Sequence, residues 1–432
     1  MYVVIDGVTY TQIKNLSFNP QLDVVSDTVP VNELSVEIKT NNTINAGKNI
    51  KLYDDRNQLW ANFWILYADV VEEGFVTIKA QSAIGFLERY NLPAKIYTET
   101  VTLVRALDEI FDAISGYASY TIDGELATVE IKGFMPEQTA RERLQWLCFV
   151  GNAFVKQCFT NDIQIKALNF DALKTIPIEK TYWKPEIEYA DYVTKIEATA
   201  YSYTEGTPQS GDETVKVGNK TYIQTETIVE LRNPNVPATA APNEIKLSGI
   251  NLINTGNADR ILSRLALLYF ERKSVKADVV NNRDYQDGER VSVCLDKNKS
   301  AIGFIEQMNF TFGKQAKSTL DIFVTSIREL FALTIIYYVN NSGIVLQRKR
   351  YDFPVGYNYT IENEYIDLES NNYRNVYRPI EKYASGTIPE YATTNRQAME
   401  IALIMAYKTN TLMIYSVSDI EFDTKDKVVE IG

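Results

Sequence analysis

Apolar side chains recur at every second position over the first ninety residues: Leu34, Val36 and Ile38 against Ser35, Glu37 and Lys39, then Val76, Ile78 and Ala80. Successive side chains of a strand point to opposite faces, so this spacing fits a sheet or barrel with one face in a core and the other in solvent. A helix cannot bury the same set, because its apolar stripe repeats every three to four residues. The alternation returns at Ile196, Ala198 and Ala200 against Lys195, Glu197 and Thr199, and runs on through Val291, Val293, Phe304, Met308, Phe310, Phe312, Leu320 and Ile322. The 28 tyrosines and 18 phenylalanines agree, since aromatic residues favour pleated, half-buried surfaces and contacts between proteins.

At 432 residues the chain exceeds what one core organises, so several domains are expected. The class is mainly β with an α/β insertion, an α+β chain in four parts. Residues 1–92 form a first β unit. Residues 93–183 form an inserted α/β domain, in which Leu103, Leu107, Ile110, Phe111 and Ile114 share a helical face that stops at Gly116. A second helix opens at Thr139-Ala-Arg-Glu142, where each end residue can satisfy an exposed backbone donor of the other, and is expected to end at Gly151.

Residues 184–327 form a second β unit with a long exposed loop or hairpin tip at 204–220 and a helix carrying Ile261, Leu262, Leu265, Leu268 and Tyr269 on one face. Three prolines between Asn233 and Pro242 bar a central strand there. Residues 328–432 are a separate C-terminal α+β module: a strand from Leu333 to Val339, a turn at Asn340-Asn-Ser-Gly343, Tyr-rich strands, and a helix opened at Thr394-Asn-Arg-Gln397.

Catalysis is poorly served. No histidine occurs, which removes Ser-His-Asp and Cys-His nucleophiles and the HExxH metal site together. No phosphate-cradling GxxxxGK[ST] or GxGxxG and no calcium loop is present. Carboxylate pairs of the glycosidase kind, set roughly 5 to 10 Å apart, need only acids. Pairs such as Asp54-Asp55 and Glu72-Glu73, however, lie beside turn-like segments where solvated charge is expected. The chain therefore reads as a structural component and not an enzyme, with no cofactor and no metal site.

Cys148, Cys158 and Cys294 have neither CxxC spacing nor an even count, so buried thiols are expected in place of a disulfide framework. A net charge of −12 and a pI near 4.9 oppose binding to a phosphate backbone. No membrane-spanning segment or secretory leader is read, so cytoplasmic synthesis is expected, and the sequons at Asn15, Asn41 and Asn309 count as chance matches.

The two β units share an arrangement. Gly47-Lys-Asn-Ile-Lys-Leu overlays Gly288-Glu-Arg-Val-Ser-Val at an offset of 241 residues, which also sets Asp55 on Asp296, Asn57 on Asn298, Phe63 on Phe304 and Trp64 on Ile305. Both run strand, polar turn, strand, the pattern of an internal duplication. Three copies of such a chain around an axis would present six similar units.

Three stretches carry a resemblance: AGKNIKLYDDRNQLWANFWILYADVVEEGFVTIKAQSAIGFLERYNLP (46–93), NTGNADRILSRLALLYFERK (254–273) and DGERVSVCLDKNKSAIGFIEQMNFTFGKQAKSTLDI (287–322). In order and spacing, across residues 1–325, the chain resembles the tail or baseplate hub proteins of bacteriophages and related contractile particles. The resemblance implies two tandem tube-like β-barrels, a trimer forming a pseudo-six-fold ring, and partners in a tail tube protein and a spike or tip protein. It implies localisation in a virion tail or baseplate, with DNA at most transiting the lumen. The net charge of −12 alone suggests an acidic lumen, which would keep a polyanion from sticking.

In the C-terminal module, Thr334–Gly343 followed by Val355–Tyr359 resembles the small β-grasp repeats of bacterial mucin-binding surface proteins. That implies an alternative role as a glycan- or cell-surface-binding tip.

Overall fold

The computed structural model describes residues 1–329, apart from residues 73, 238, 271, 281–284, 297–298 and 312–316, together with five strands beyond them. It divides into two units, residues 1–293 with 302–325 and residues 294–301 with 326–432.

The first unit opens with a seven-stranded antiparallel sheet: β1 (Tyr2–Ile5), β2 (Val8–Tyr10), β3 (Ile13–Phe18), β4 (Glu33–Lys39), β5 (Asn49–Tyr53), β6 (Leu59–Glu72) and β7 (Phe75–Gln81). Its order is β2-β1-β5-β6-β7-β4-β3. The β1–β2 turn uses Asp6 and Gly7, both at positive φ, the conformation that matches the twist of a two-residue hairpin. The alternating residues behave as the pattern requires: Leu34, Val36, Ile38, Ile50, Leu52, Phe63, Ile65 and Ile78 are all buried. β4 is paired with β7, which places Val36 opposite Ile78.

The inserted region holds α1 (Leu103–Phe111), α2 (Gly124–Ala127) and α3 (Ala140–Gly151). Beside them lie a three-stranded sheet in the order Tyr120–Ile122, Ile163–Ala167, Ala153–Lys156, and the antiparallel pair Lys95–Thr102 with Glu130–Met135. The capping box at α3 forms in both directions: Thr139 Oγ1 accepts from the Glu142 N–H at 3.2 Å, and Glu142 Oε2 accepts from the Thr139 N–H at 2.8 Å. The helix stops one residue later than expected. Asn152, at φ +57°, supplies the left-handed cap, while Gly151 is helical because a Cβ there would sit 3.0 Å from Leu103 Cδ2. Gly151 is thus a packing glycine between α3 and α1.

The second sheet has six strands in the order Lys174–Ile176, Arg290–Asp296, Lys299–Thr311, Lys317–Glu329, Lys273–Val280, Glu186–Tyr189. Numbered as they occur along the chain, these strands run 1-4-5-6-3-2. The first sheet, with β2 set aside, also runs 1-4-5-6-3-2. One relation differs: β1 lies antiparallel to β5, whereas Lys174–Ile176 lies parallel to Arg290–Asp296.

Between the second and third strands of the second sheet come a four-stranded sheet and α4 (Ala258–Tyr269). Ile196, Ala198 and Ala200 share one buried core with Ile261, Leu262, Leu265 and Leu268 of α4. The stretch at 204–220, expected as an exposed loop or hairpin tip, includes the tip of a polar hairpin and a short strand. Lys195–Glu205 and Lys220–Arg232 pair along their whole length, and Glu213–Val217 adds a strand outside them.

In the second unit the described strands form two small sheets, Arg348–Asp352, Ala332–Tyr337, Ile414–Ser416 and Asn358–Asn363 with Glu381–Thr387. The turn at Asn340–Gly343 and the helix at Thr394–Gln397 lie outside the described residues. Among the described residues no helix is long and apolar enough to cross a membrane.

Candidate assembly interface

The two glycines that anchor the sequence overlay hold one geometry. Gly47 (φ +77°) and Gly288 (φ +78°) each precede the fourth strand of their sheet. Gly47 N–H donates to the Ile65 carbonyl at 2.8 Å and Ile65 N–H to the Lys48 carbonyl at 2.9 Å. Gly288 N–H donates to the Ile305 carbonyl at 2.8 Å and Ile305 N–H to the Glu289 carbonyl at 3.0 Å. The offset is therefore 241 residues at the glycines and 240 at the isoleucines.

Hydrogen bonding consequently sets Trp64, not Phe63, level with Phe304, and Ile65 level with Ile305. Side-chain surroundings follow that register. Phe304 lies in the core shared with the insertion and Trp64 packs against the same core, whereas Phe63 faces Phe18 across 6.0 Å in a separate aromatic cluster. Asp55 is 86% exposed in the β5–β6 turn, and Asp296 ends the strand Arg290–Asp296.

A junction between the two sheets is built from residues far apart in sequence. Beyond Gly288, the strand Lys299–Thr311 runs on and is met by the segment that follows β3. Leu22 N–H donates to the Glu306 carbonyl at 2.8 Å, Met308 N–H donates to the Pro20 carbonyl at 2.9 Å, and Gln21 faces Gln307 as an antiparallel bridge. Phe310 on that strand lies 4.5 Å from Trp60 and 6.3 Å from Phe18, ring centre to ring centre, and Phe159 of the insertion closes the cluster. Aromatic pairs at such distances add attraction beyond the area they bury.

The loop after this segment is stapled to the insertion. Ser26 Oγ donates to the Ala153 carbonyl, Arg141 Nε to the Val29 carbonyl, and Gln157 Nε2 to the Pro30 carbonyl, each at 2.7 Å. Arg264 of α4, almost fully buried, donates to the carbonyls of Val25 (2.9 Å) and Phe149 (3.0 Å). Burial lowers its guanidinium to about 10.

Two buried acids flank the junction. Burial, with the Asp23 carboxylate beside it, pushes Glu306 up to about 7, against the Val24 N–H and Arg272. Asp287, next to Gly288, is fully buried, and neither carboxylate oxygen accepts a hydrogen bond from another residue. Burial pushes it up to about 6 against the pull of Lys156 Nζ, 3.9 Å away.

Cys148 and Cys158 are buried and Cys294 is half-buried; burial pushes the Cys148 thiol up to about 12. Among the described residues no group of three or more Cys, Asp or Glu side chains is placed to hold a metal. A cleft of about 850 Å³, lined by Thr98, Thr100, Lys132, Tyr203, Asn254 and Arg260, lies between the insertion and the four-stranded sheet.

Comparison with known proteins finds no matching family model and no matching curated protein. Solved structures do match. The tail protein from Neisseria meningitidis MC58 superposes with a TM-score of 0.54 at 12% identity, over 74% of this chain and 95% of that one. The 43 kDa tail protein of prophage MuSo2 from Shewanella oneidensis gives 0.51 at 10% identity, over 74% and 97%. The resemblance to phage tail proteins therefore holds at the level of the fold.

Proposed function

We propose that this chain is a structural hub of a phage tail or a phage-like contractile or injection particle, resident in the tail or baseplate. In this reading it trimerises into a pseudo-six-fold ring joining the tail tube to the spike or tip. The observation that carries the reading is the repeated 1-4-5-6-3-2 strand order, which supports reading the chain as two comparable modules. Three copies then offer six modules to a six-fold tube while keeping three-fold symmetry towards a tip.

The role is mechanical: sheet edges pair across subunits and the lumen passes DNA without binding it. The tail-protein fold supports this role and supplies no reason to add catalysis. Light scattering across a concentration series, followed by negative-stain imaging, tests the proposal. A trimer or a ring with a central hole is expected, and a monomer that stays monomeric beside tube and spike proteins would refute it.

A further inference from the structure

The repeat contains a mismatch. In the second sheet, the fifth strand extends past Gly288, and its continuation at Glu306–Met308 is covered by Pro20–Leu22. In the first sheet the fifth strand is β6, which also extends past its glycine. Its ladder to β5 ends at Asn49 opposite Trp64, with the Ile65 bonds to Gly47 and Lys48 beyond, and from Trp64 to Glu72 it pairs with β7, the register shifting between Ile65 and Tyr67 and again between Val70 and Glu72. Ile65 is level with Ile305, and Leu66, Tyr67 and Ala68 follow it along the strand as Glu306, Gln307 and Met308 follow Ile305. Among the described residues no backbone hydrogen bond from outside the sheet reaches them, and Tyr67, Val70 and Val71 are 49%, 77% and 60% exposed.

The covering piece has its own counterpart. Pro20–Leu22 follows β3, the edge strand at the end of the first sheet. The matching edge strand of the second sheet is Glu186–Tyr189, and the residues at its end and just after it, Tyr189 to Tyr192, are exposed, with Tyr189 at 68% and Tyr192 at 46%. Each chain thus carries one junction already made, one acceptor strand edge and one exposed donor segment, whose Ala190 N–H donates to the Arg272 carbonyl and whose Tyr192 carbonyl accepts from Asn243 within the chain.

The geometry points to a second copy of this chain as the occupant: Tyr189–Tyr192 of one copy docks antiparallel on Leu66–Val71 of the next, repeating between chains the junction seen within one. This rests on the ring reading above and names its interface. The contact is head-to-tail, so each copy uses its acceptor for one neighbour and its donor for the other, and the chain of contacts closes into a ring. Pairing removes an exposed apolar strand edge of the kind that otherwise invites aggregation. Docking the tyrosines on Val70 and Val71 supplies apolar burial.

Disulfide trapping in the full chain tests this. Tyr67→Cys combined with Ala190→Cys or Asp191→Cys is expected to give covalent dimers and trimers on oxidation, running as a ladder on a non-reducing gel. Gln21→Cys with Gln307→Cys, which face each other within the chain, is the positive control and gives a cross-linked monomer. Tyr67→Glu and Tyr192→Glu are each expected to weaken assembly about tenfold or more, while Ile228→Glu, exposed on the four-stranded sheet, leaves it unchanged.

A trimer that forms without the intermolecular cross-link and ignores Tyr67→Glu would overturn this interface and leave the ring standing. A chain that stays monomeric while the control cross-link forms would overturn both.

Discussion

Asp287 is the site at which a small change should give a large, pH-dependent response. Its carboxyl is fully buried, Lys156 Nζ is 3.9 Å away, and its pKa is pushed up to about 6. An unfolded chain holds an aspartate near 3.9. Because the folded value is the higher one, the folded state binds the proton more tightly. The stability that proton brings is complete below about pH 4, falls as pH rises, and is lost above about pH 6.

Two units of separation correspond to about 3 kcal/mol between pH 4 and pH 8. Asp287→Asn keeps the shape and removes the titration. The variant should match the parent within about 1 kcal/mol near pH 4 and exceed it by roughly 2 to 3 kcal/mol at pH 8. The assay is urea unfolding followed by tryptophan fluorescence at several pH values, taken as variant minus parent. Glu306 has the same sign of shift, but it is present in both proteins and cancels in that difference. A difference constant with pH would refute the reasoning, because it would mean that Asp287 does not lose its proton inside the fold.

The two glycines offer a paired test. Gly288→Ala combines positive φ with a Cβ 2.7 Å from Phe154 Cε2, so a loss of about 3 kcal/mol or more is expected, against roughly 1 to 2 kcal/mol for Gly47→Ala, where the space is empty. Equal losses in thermal melts would contradict this. Thr139→Ala should cost about 1 kcal/mol by breaking the capping box of α3, read in the same melts. Arg264→Met should leave the Val25 and Phe149 carbonyls without their donor and destabilise by about 2 to 4 kcal/mol. Its signature is faster amide exchange in residues 20–30, and unchanged exchange there would count against the staple.

Strands were legible wherever a sheet has two unlike faces, because Leu34, Val36 and Ile38 face a core while Ser35 and Lys39 do not. Helices α1 and α3 were legible for similar reasons, a single apolar stripe and the Thr139–Glu142 box. The strand Glu213–Val217 was not, since Val215 and Val217 alternate with Lys216 over too few residues, among polar neighbours and with neither valine fully buried. Strand order was hidden as well. β4 chooses β7 over its neighbour β5, and that choice depends on contacts forty residues apart. The backbone hydrogen bonds of the two units correspond at an offset of 241 at the glycines and of 240 at the isoleucines that partner them. The β5–β6 ladder shifts register between Leu52 and Tyr53, and one extra residue there moves every later partner while leaving the composition of the turn unchanged.

The candidate interface was the least legible part, for a reason that lies in its construction. Nothing in Pro20-Gln21-Leu22 announces a strand partner, and Gln307 looks like any polar residue on an alternating strand. Their pairing exists because a stapled loop carries them together. Arg264, Arg141, Gln157 and Ser26 each donate to a backbone carbonyl in or against residues 25–30, so side chains of the insertion and of α4 hold the loop that follows the bridging segment. If the same junction recurs between chains, that held loop also governs where the next module points. The insertion then sets the curvature of a ring to which it need contribute no strand, and its helices act as the brace that makes two similar sheets close in one direction.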